Sequence, residues 1–404
     1  MGEERDRNGT LASLKPAPSP EPAWYPHALV DRPCDPSTFA DGLPSPWGRV
    51  HGWDFTSALE PAWWARQAET AWGDWPTEVT SVEVVGHTRH AVVLDLDSKW
   101  TAHLYPFPTG QDVSTLTRYG PWADALSRAP LVMPVGGQIG DQGDRVCVFP
   151  HHALLETAEV MTRPLDLARS AGQVHAALVS HATPNTERRW NERLKSMEDG
   201  LKSTTLWRAS HTKHVVGLPS VHFSLEGVVE RPEGLAYVPQ PRSLVDHVLA
   251  DGERLPGVAS MAFLEQRLAM LDVFGTTGER QAFYEAWGGE VPSAWTNPAS
   301  ISTVNGGVWI WRYEAMLLML AEAKAHGLTQ QAKRCERWLF DVSRIQARLG
   351  ELRTVHAVRK GGVYAAIAAA IIGSGPLQLP FVAGSLLVSL VAHGVHAKRV
   401  PPPF

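Results

Sequence analysis

Seventeen histidines and a few closely spaced acids are the side chains with the widest chemical reach in this sequence. His87 with His90, and His211 with His214, stand three residues apart, close enough for two imidazoles to share a metal ion. Neither pair has a nearby carboxylate or thiolate to complete three or four ligands, so no metal site is expected. Asp95-Leu96-Asp97 has the spacing of a cation-chelating acidic pair. It stands at the end of strand-like sequence and is followed by Ser98, which reads as a turn. Gly137, Gly140 and Gly143 are spaced like a phosphate loop but lie between two strand-like pieces and precede no helix, so they read as a hairpin turn. No Gly-Lys pair occurs, which excludes the G-x-x-x-x-G-K-[ST] phosphate loop. The G-x-S-x-G nucleophile elbow and the H-E-x-x-H zinc helix are absent as well.

The elements that would position these groups fall into four stretches. Residues 1–46 carry many prolines (Pro16, Pro18, Pro20, Pro22, Pro33, Pro36, Pro44, Pro46) and read as an extended or disordered arm. Residues 47–152 begin with Trp53, Trp63, Trp64, Trp72 and Trp75, which read as a packed aromatic cap on one or two short helices. Three strands in a meander follow within 77–107, then a helix around Leu116–Leu126 and strand pieces at 131–135 and 145–149. Residues 153–350 turn to a helical period. Leu167, Ala171, Val174 and Leu178 share one face; Trp190, Leu194, Met197 and Leu201 share another. A short strand-like region spans 215–238, and further helices are expected at 261–274, 281–287, 308–325 and 330–350. In the last of these Cys335, Trp338, Leu339, Val342, Ile345 and Leu349 make one stripe.

The fourth stretch, residues 361–397, contains no Asp, Glu, Lys or Arg, with Arg359 and Lys360 before it and Lys398 and Arg399 after it. Gly373-Ser374-Gly375-Pro376 splits it into arms 363–373 and 377–392, each too short to cross a ~30 Å bilayer core alone. A membrane-embedded helical hairpin is expected, with membrane lipid as its partner and the soluble body on the cytoplasmic side. From Arg344 onward seven basic residues face one acid, Glu351, so the net charge of −5 leaves the remaining body at −11. An acidic body argues against nucleic-acid binding. Cys34, Cys147 and Cys335 are too few and too scattered for a disulfide framework, and no apolar run follows the first charges, so no signal peptide is expected.

The order of these elements resembles the kinase-like fold, in particular the aminoglycoside phosphotransferase and choline kinase-like family. The Trp100-Thr-Ala-His-Leu-Tyr segment is similar to that family's third strand. Residues 145–150 resemble its hinge strand, residues 166–178 its first helix of the large lobe, and residues 218–227 its catalytic loop. The resemblance spans about residues 76–325. It implies an α+β fold of two lobes, a small β-rich N-lobe and a larger helical C-lobe hinged near 149–156, to which the apolar hairpin is appended. It also implies that the helix carrying Ala171, Val174 and Leu178 packs on the one at 308–325, with His175 as a structural hydrogen-bonding residue.

The resemblance implies a cleft whose chemistry this chain lacks. Phosphoryl transfer needs a cation on the phosphates, metal ligands, and a carboxylate to accept the hydroxyl proton. His103 stands at the lysine position, and the glycine loop is reduced to Gly86. After His222 come Phe223 and Ser224 where Gly and the catalytic Asp belong, and Glu226 is the nearest acid. The later metal-binding Asp would fall within residues 237–242, which hold no carboxylate. The cleft candidates are therefore His222, Ser224 and Glu226, with His103 and Gly86 toward a nucleotide. The expected protein is a membrane-associated pseudokinase acting in binding or scaffolding, with no cofactor of its own. The alternatives are an active phosphotransferase using ATP and Mg²⁺ through relocated acids, and an unrelated α+β membrane-anchored protein.

Overall fold

The computed structural model describes residues 43–45, 48–50, 52–88, 90–107, 113–118, 120, 122–141, 143–183, 217–241, 254–296, 308–325, 328–373 and 375–398. The arm before residue 43, the helix expected around Trp190–Leu201 and the His211/His214 pair lie outside the described residues. The arm's expected end is corrected by a short antiparallel hairpin, β1 (Leu43–Ser45) with β2 (Gly48–Val50).

The tryptophan segment folds as expected, around α1 (Pro61–Arg66). Trp63 and Trp64 are buried, Trp53 stacks on Trp63, and Trp64 stacks on Trp75 with centroids 4.9 Å apart. The indole N–H groups of Trp53, Trp64 and Trp75 donate to the carbonyls of Tyr105, Ala58 and Trp64. Their polar edges are thus spent inside the protein, which marks a structural cap.

A six-stranded antiparallel sheet follows, built from β3 (Ala71–Gly73), β4 (Val82–His87), β5 (Val92–Leu96), β6 (Trp100–Leu104), β7 (Gly136–Gly140) and β8 (Gly143–Pro150) in the order β3-β7-β8-β6-β5-β4. The meander is β4-β5-β6. Between β6 and β7 run two short helices, α2 (Thr115–Arg118) and α3 (Trp122–Leu126), where the sequence suggested one. The glycine-spaced segment is itself strand β7 and its turn into β8. Gly137 must be glycine there, because a Cβ would meet the Val146 carbonyl at 2.4 Å. Residues 131–135 form no strand; Leu131 makes one isolated bridge to Tyr237, because the backbone crosses toward the other lobe at that point.

Successive residues of a strand face opposite sides, and both sides of this sheet are buried. Val92, Leu94, Leu96, Ala102, Leu104, Val146 and Val148 pack under the tryptophan cap. Cys147 and Phe149 face the other way, against Val229, Ala236 and Val238 of the second lobe. That double burial explains why β5 and β8 read as nearly continuous apolar runs.

The helical lobe comprises α4 (Thr157–Val160), α5 (Pro164–Ala177), the strands β9 (Gly217–Pro219), β10 (Val228–Arg231), β11 (Gly234–Tyr237) and β12 (Arg254–Pro256), then α6 (Gly257–Met270), α7 (Thr277–Gly288), α8 (Trp309–Ala325) and α9 (Thr329–Phe340). Its core gathers Leu167, Ala171, Val174, Phe223, Tyr237, Met261, Phe283 and Trp287. One expectation is corrected. α5 packs chiefly on α7, and α8 packs on α6 and α9. Gly172 is the reason: a Cβ there would lie 2.9 Å from the Trp287 carbonyl, so the two helices meet closely at that point. The helix expected at 330–350 is likewise two. α9 ends at Phe340, and a second helix, α10, runs unbroken from Val342 to Ile372.

α10 and α11 (Gln378–Lys398) form the C-terminal hairpin. The first arm is not a separate short helix, as the sequence suggested, but the continuation of a helix seated in the body by Val342 and Ile345. Counted from Thr354, and so with Arg359 and Lys360 included, α10 has a stretch to Ile372 of the length and composition of a membrane span, as has Gln378–Val395. Only 6% and 11% of these stretches is buried inside the protein; the charge-free arms themselves are shorter. Gly362, Ala366, Ser389 and Ala392 are buried between the arms, while Ile367, Ile371, Phe381, Leu387, Leu390 and Val391 point outward and are exposed. Small residues inside and large apolar ones outside invert the pattern of a water-soluble helix pair.

Candidate functional site

Where the sheet meets the helical lobe, β6 carries His103 on its inward face, paired in register with Cys147. Its side chain is fully buried, against Phe149 and His152 at centroid distances of 4.8 and 5.7 Å. Gln240 follows β11 after two residues and reaches back: its Nε2 lies 3.4 Å from His103 Nδ1. Thr88, just past the end of β4, donates from Oγ1 to Gln240 Oε1 at 3.3 Å. Thr88, His103 and Gln240 thus join both lobes through a buried, uncharged polar chain.

Electrostatics keeps it uncharged. Burial, reinforced by the neighbouring His152, pushes His103 well below the ordinary histidine range. Burial likewise brings His152 to about 4, although its Nδ1 donates to the Pro150 carbonyl. The Nε2 atoms of both rings are buried without a hydrogen-bond partner among the described residues.

The other expected residues have surroundings of their own. Gly86 sits at a β-bulge in β4, and a Cβ there would meet nothing within 4 Å. His222 stacks edge-on against Phe263 of α6, at 5.7 Å. Ser224 is buried, and its Oγ accepts from the Glu226 backbone N–H. Phe223 lies in the core between His175 and Tyr237. Gly227 ends this loop tight against the second segment. A Cβ on Gly227 would lie 2.8 Å from the Val238 carbonyl, so loop and Gln240 segment do touch.

Asp95 in β5 and Asp97 in the turn after it point to separate partners. Asp95 pairs with His151 at 3.1 Å, while Asp97 accepts from both the backbone and the hydroxyls of Thr80 and Ser81. The Thr80 and Ser81 hydrogen bonds hold Asp97 at about 2. With φ of +54° at Asp97 and +52° at Ser98, this is a left-handed turn. Among the described residues, no group of three or more His, Cys, Asp or Glu could hold a metal ion.

His175 proves structural. Its Nδ1 accepts from Trp287 Nε1 at 3.0 Å, and burial lowers it to about 3. A histidine depressed in the folded state binds its proton more readily when unfolded, so stability is full above about pH 6.5 and is lost as pH falls toward the folded value. Between pH 7 and 5 the loss should be on the order of 1–2 kcal/mol per such histidine. Urea titrations at the two pH values should show the slope, and His175→Gln should flatten it.

Sequence reasoning missed Gln240, Thr88 and His152. Gln240 lay in the segment searched for a carboxylate, and only its contact with His103 gives it a place in the site.

The meander β4-β5-β6, the two short helices, and the returning β7-β8 hairpin form a small β-rich lobe. Followed by the helical lobe, they make the two-lobed kinase-like arrangement anticipated from the element order. No family model and no curated protein matches the chain. Among solved structures, a glucosamine kinase (crystal form A) overlaps with a TM-score of 0.42 at 11% identity, covering 74% of this chain and 85% of that one. The GDP complex of wild-type aminoglycoside 2'-phosphotransferase-IIIa overlaps with a TM-score of 0.40 at 11% identity, covering 66% and 93%. Overlaps this loose carry no argument beyond the two-lobed layout that the strand order and lobe order of the chain itself show.

Proposed function

We propose that this chain is a membrane-associated protein of kinase-like fold that binds or scaffolds and transfers no phosphoryl group. The observation that supports this is the buried chain Thr88–Gln240–His103. In the resemblance, the third-strand lysine stands at His103 and the later metal-binding aspartate falls within residues 237–242, the segment that holds Gln240. Here they are a neutral imidazole and an amide, in contact with each other and closed off from solvent. A triphosphate brought to this point would meet a neutral imidazole and an amide in place of lysine and metal ligand, and among the described residues no group of three or more His, Cys, Asp or Glu could hold Mg²⁺. Ser224, at the base position, already accepts a backbone hydrogen bond and has no carboxylate's basicity. The hairpin then supplies the location, its basic outer ends keeping the body at the cytoplasmic face.

Isothermal titration of the chain with ATP, with and without Mg²⁺, tests the reading. The expected result is weak or absent binding that Mg²⁺ leaves unchanged, and Ser224→Asp should not restore it. Micromolar, Mg²⁺-dependent affinity with ATP turnover would instead establish an active phosphotransferase.

A further inference from the structure

The hairpin carries a built feature that the membrane reading alone does not require. One of its faces holds an open groove of about 830 Å³, floored by Val363, Tyr364, Leu386, Leu387 and Leu390. Its outer end is rimmed by Arg359 and Lys360 of α10 and His393 of α11. The arms are locked together at that level. Ser389 Oγ donates to the Arg359 carbonyl at 2.8 Å, and Arg359 Nη1 lies 3.2 Å from His393 Nδ1. A guanidinium can only donate, so His393 accepts at Nδ1 and carries its hydrogen on Nε2. Among the described residues, no carboxylate pairs with Arg359 or Lys360. Arg359, held by His393, and the exposed Lys360 beside it therefore stand at the mouth of an apolar groove.

Depth matches this chemistry. From Lys360 to Ile372 the helix rises ~18 Å, and from Gln378 to His393 ~23 Å. Both are shorter than the ~30 Å hydrocarbon core. A hairpin entering from one side therefore leaves the Arg359–Lys360–His393 rim at the near headgroup level while its tip stops within the bilayer. Tyr364, exposed one turn below the rim, occupies the level that amphipathic rings favour.

We propose that this groove is a binding site for one anionic phospholipid, its phosphate held by Arg359, Lys360 and the His393 Nε2–H and an acyl chain lying along Val363, Leu386, Leu387 and Leu390. The proposal rests on the membrane reading and adds to it a headgroup preference. Guanidinium and ammonium donors select the phosphate charge, and the groove selects a chain-bearing molecule over free phosphate.

The test is flotation of the full-length chain with vesicles of phosphatidylcholine alone and of phosphatidylcholine with phosphatidylglycerol. The expected result is binding to both, tighter with phosphatidylglycerol. The double variant Arg359→Gln/Lys360→Gln should lose about thirtyfold of that affinity, at about fivefold per basic residue near an anionic surface. It should keep its binding to phosphatidylcholine. Arg337→Gln/Arg344→Gln, which removes two exposed basic residues upstream of the hairpin, should leave the preference in place, and excess inorganic phosphate should not compete. Equal binding to the two vesicles, or equal losses in both double variants, would overturn the site while leaving the membrane reading intact. A chain that floats with neither vesicle overturns both.

Discussion

Replacing Glu265 by alanine is expected to cost the helical lobe about 3–5 kcal/mol, the usual penalty for removing one partner from a buried ion pair. Glu265 is fully buried on α6. It forms an ion pair with Arg280, Nε at 2.7 Å, and accepts from both donors of the Arg312 fork and from the Tyr284 hydroxyl at 2.8 Å. Its loss takes the shared carboxylate from two buried guanidiniums, one from α7 and one from α8, so three helices lose their common anchor. Burial by itself would raise the carboxyl, but the Arg280 and Arg312 charges, with the Arg312 and Tyr284 hydrogen bonds, outweigh it and hold Glu265 below its ordinary value. Burial in turn lowers Arg280 to about 10, which leaves it charged at neutral pH. For a carboxyl depressed in the folded state, the stabilisation is present above the unfolded value near 4.5 and is lost as pH falls through the folded one. Guanidinium denaturation at pH 7 should show the full loss for Glu265→Ala. A loss below ~1 kcal/mol would mean that the network is not an anchor.

Deleting residues 361–404 is expected to move the protein from the membrane pellet to the soluble fraction. The outward-facing Ile367, Ile371, Ile372, Leu379, Phe381, Leu387, Leu390 and Val391 are each half or more exposed. Removing such side chains from water is worth about 1.5–3 kcal/mol each, so together they favour a hydrocarbon environment by an order of 10 kcal/mol. The hairpin carries few polar groups to oppose this. Its backbone is helical, and Gln378 Nε2 donates to the carbonyls of Ala369 and Ala370 at the tip. Carbonate washing of membranes should leave the full chain in the pellet and release the shortened one. A full-length chain that stays soluble without detergent, as a monomer or with the hairpin buried between copies, would defeat the membrane reading.

The fold was legible where local pattern and burial agree. The β4-β5-β6 meander announced itself through alternating and β-branched residues broken by Gly86-His87 and Asp97-Ser98. The tryptophan cap and the α5 stripe were legible for the same reason. The failures are of one kind. α5 packs on α7 because Gly172 admits Trp287, and such a close approach has no period to read. α9 and α10 share one stripe across Asp341, so the break between them left no mark in the spacing.

The candidate site divides the same way. That the positions the resemblance gives to lysine, base and metal ligand hold other residue types here could be read directly, because residue type is visible at any single position. What fills their place could not be read: Gln240 and His103 are 137 positions apart and meet only when the β10–β11 hairpin closes on the sheet. The charge-free tract and its basic flanks were likewise set by composition alone, since length and charge suffice to mark an apolar segment. Which of its residues face inward was a matter of helix packing. Gly362, Ala366, Ser389 and Ala392 turn toward the partner arm, and a Cβ at Gly362 would lie 2.7 Å from the Ser385 carbonyl. Residue types therefore determined which positions depart from the resemblance and which segment is apolar and free of charge. Tertiary structure decided which distant side chains close the cleft and which face of the hairpin holds cations beside a groove, because both depend on contacts between elements that no local spacing encodes.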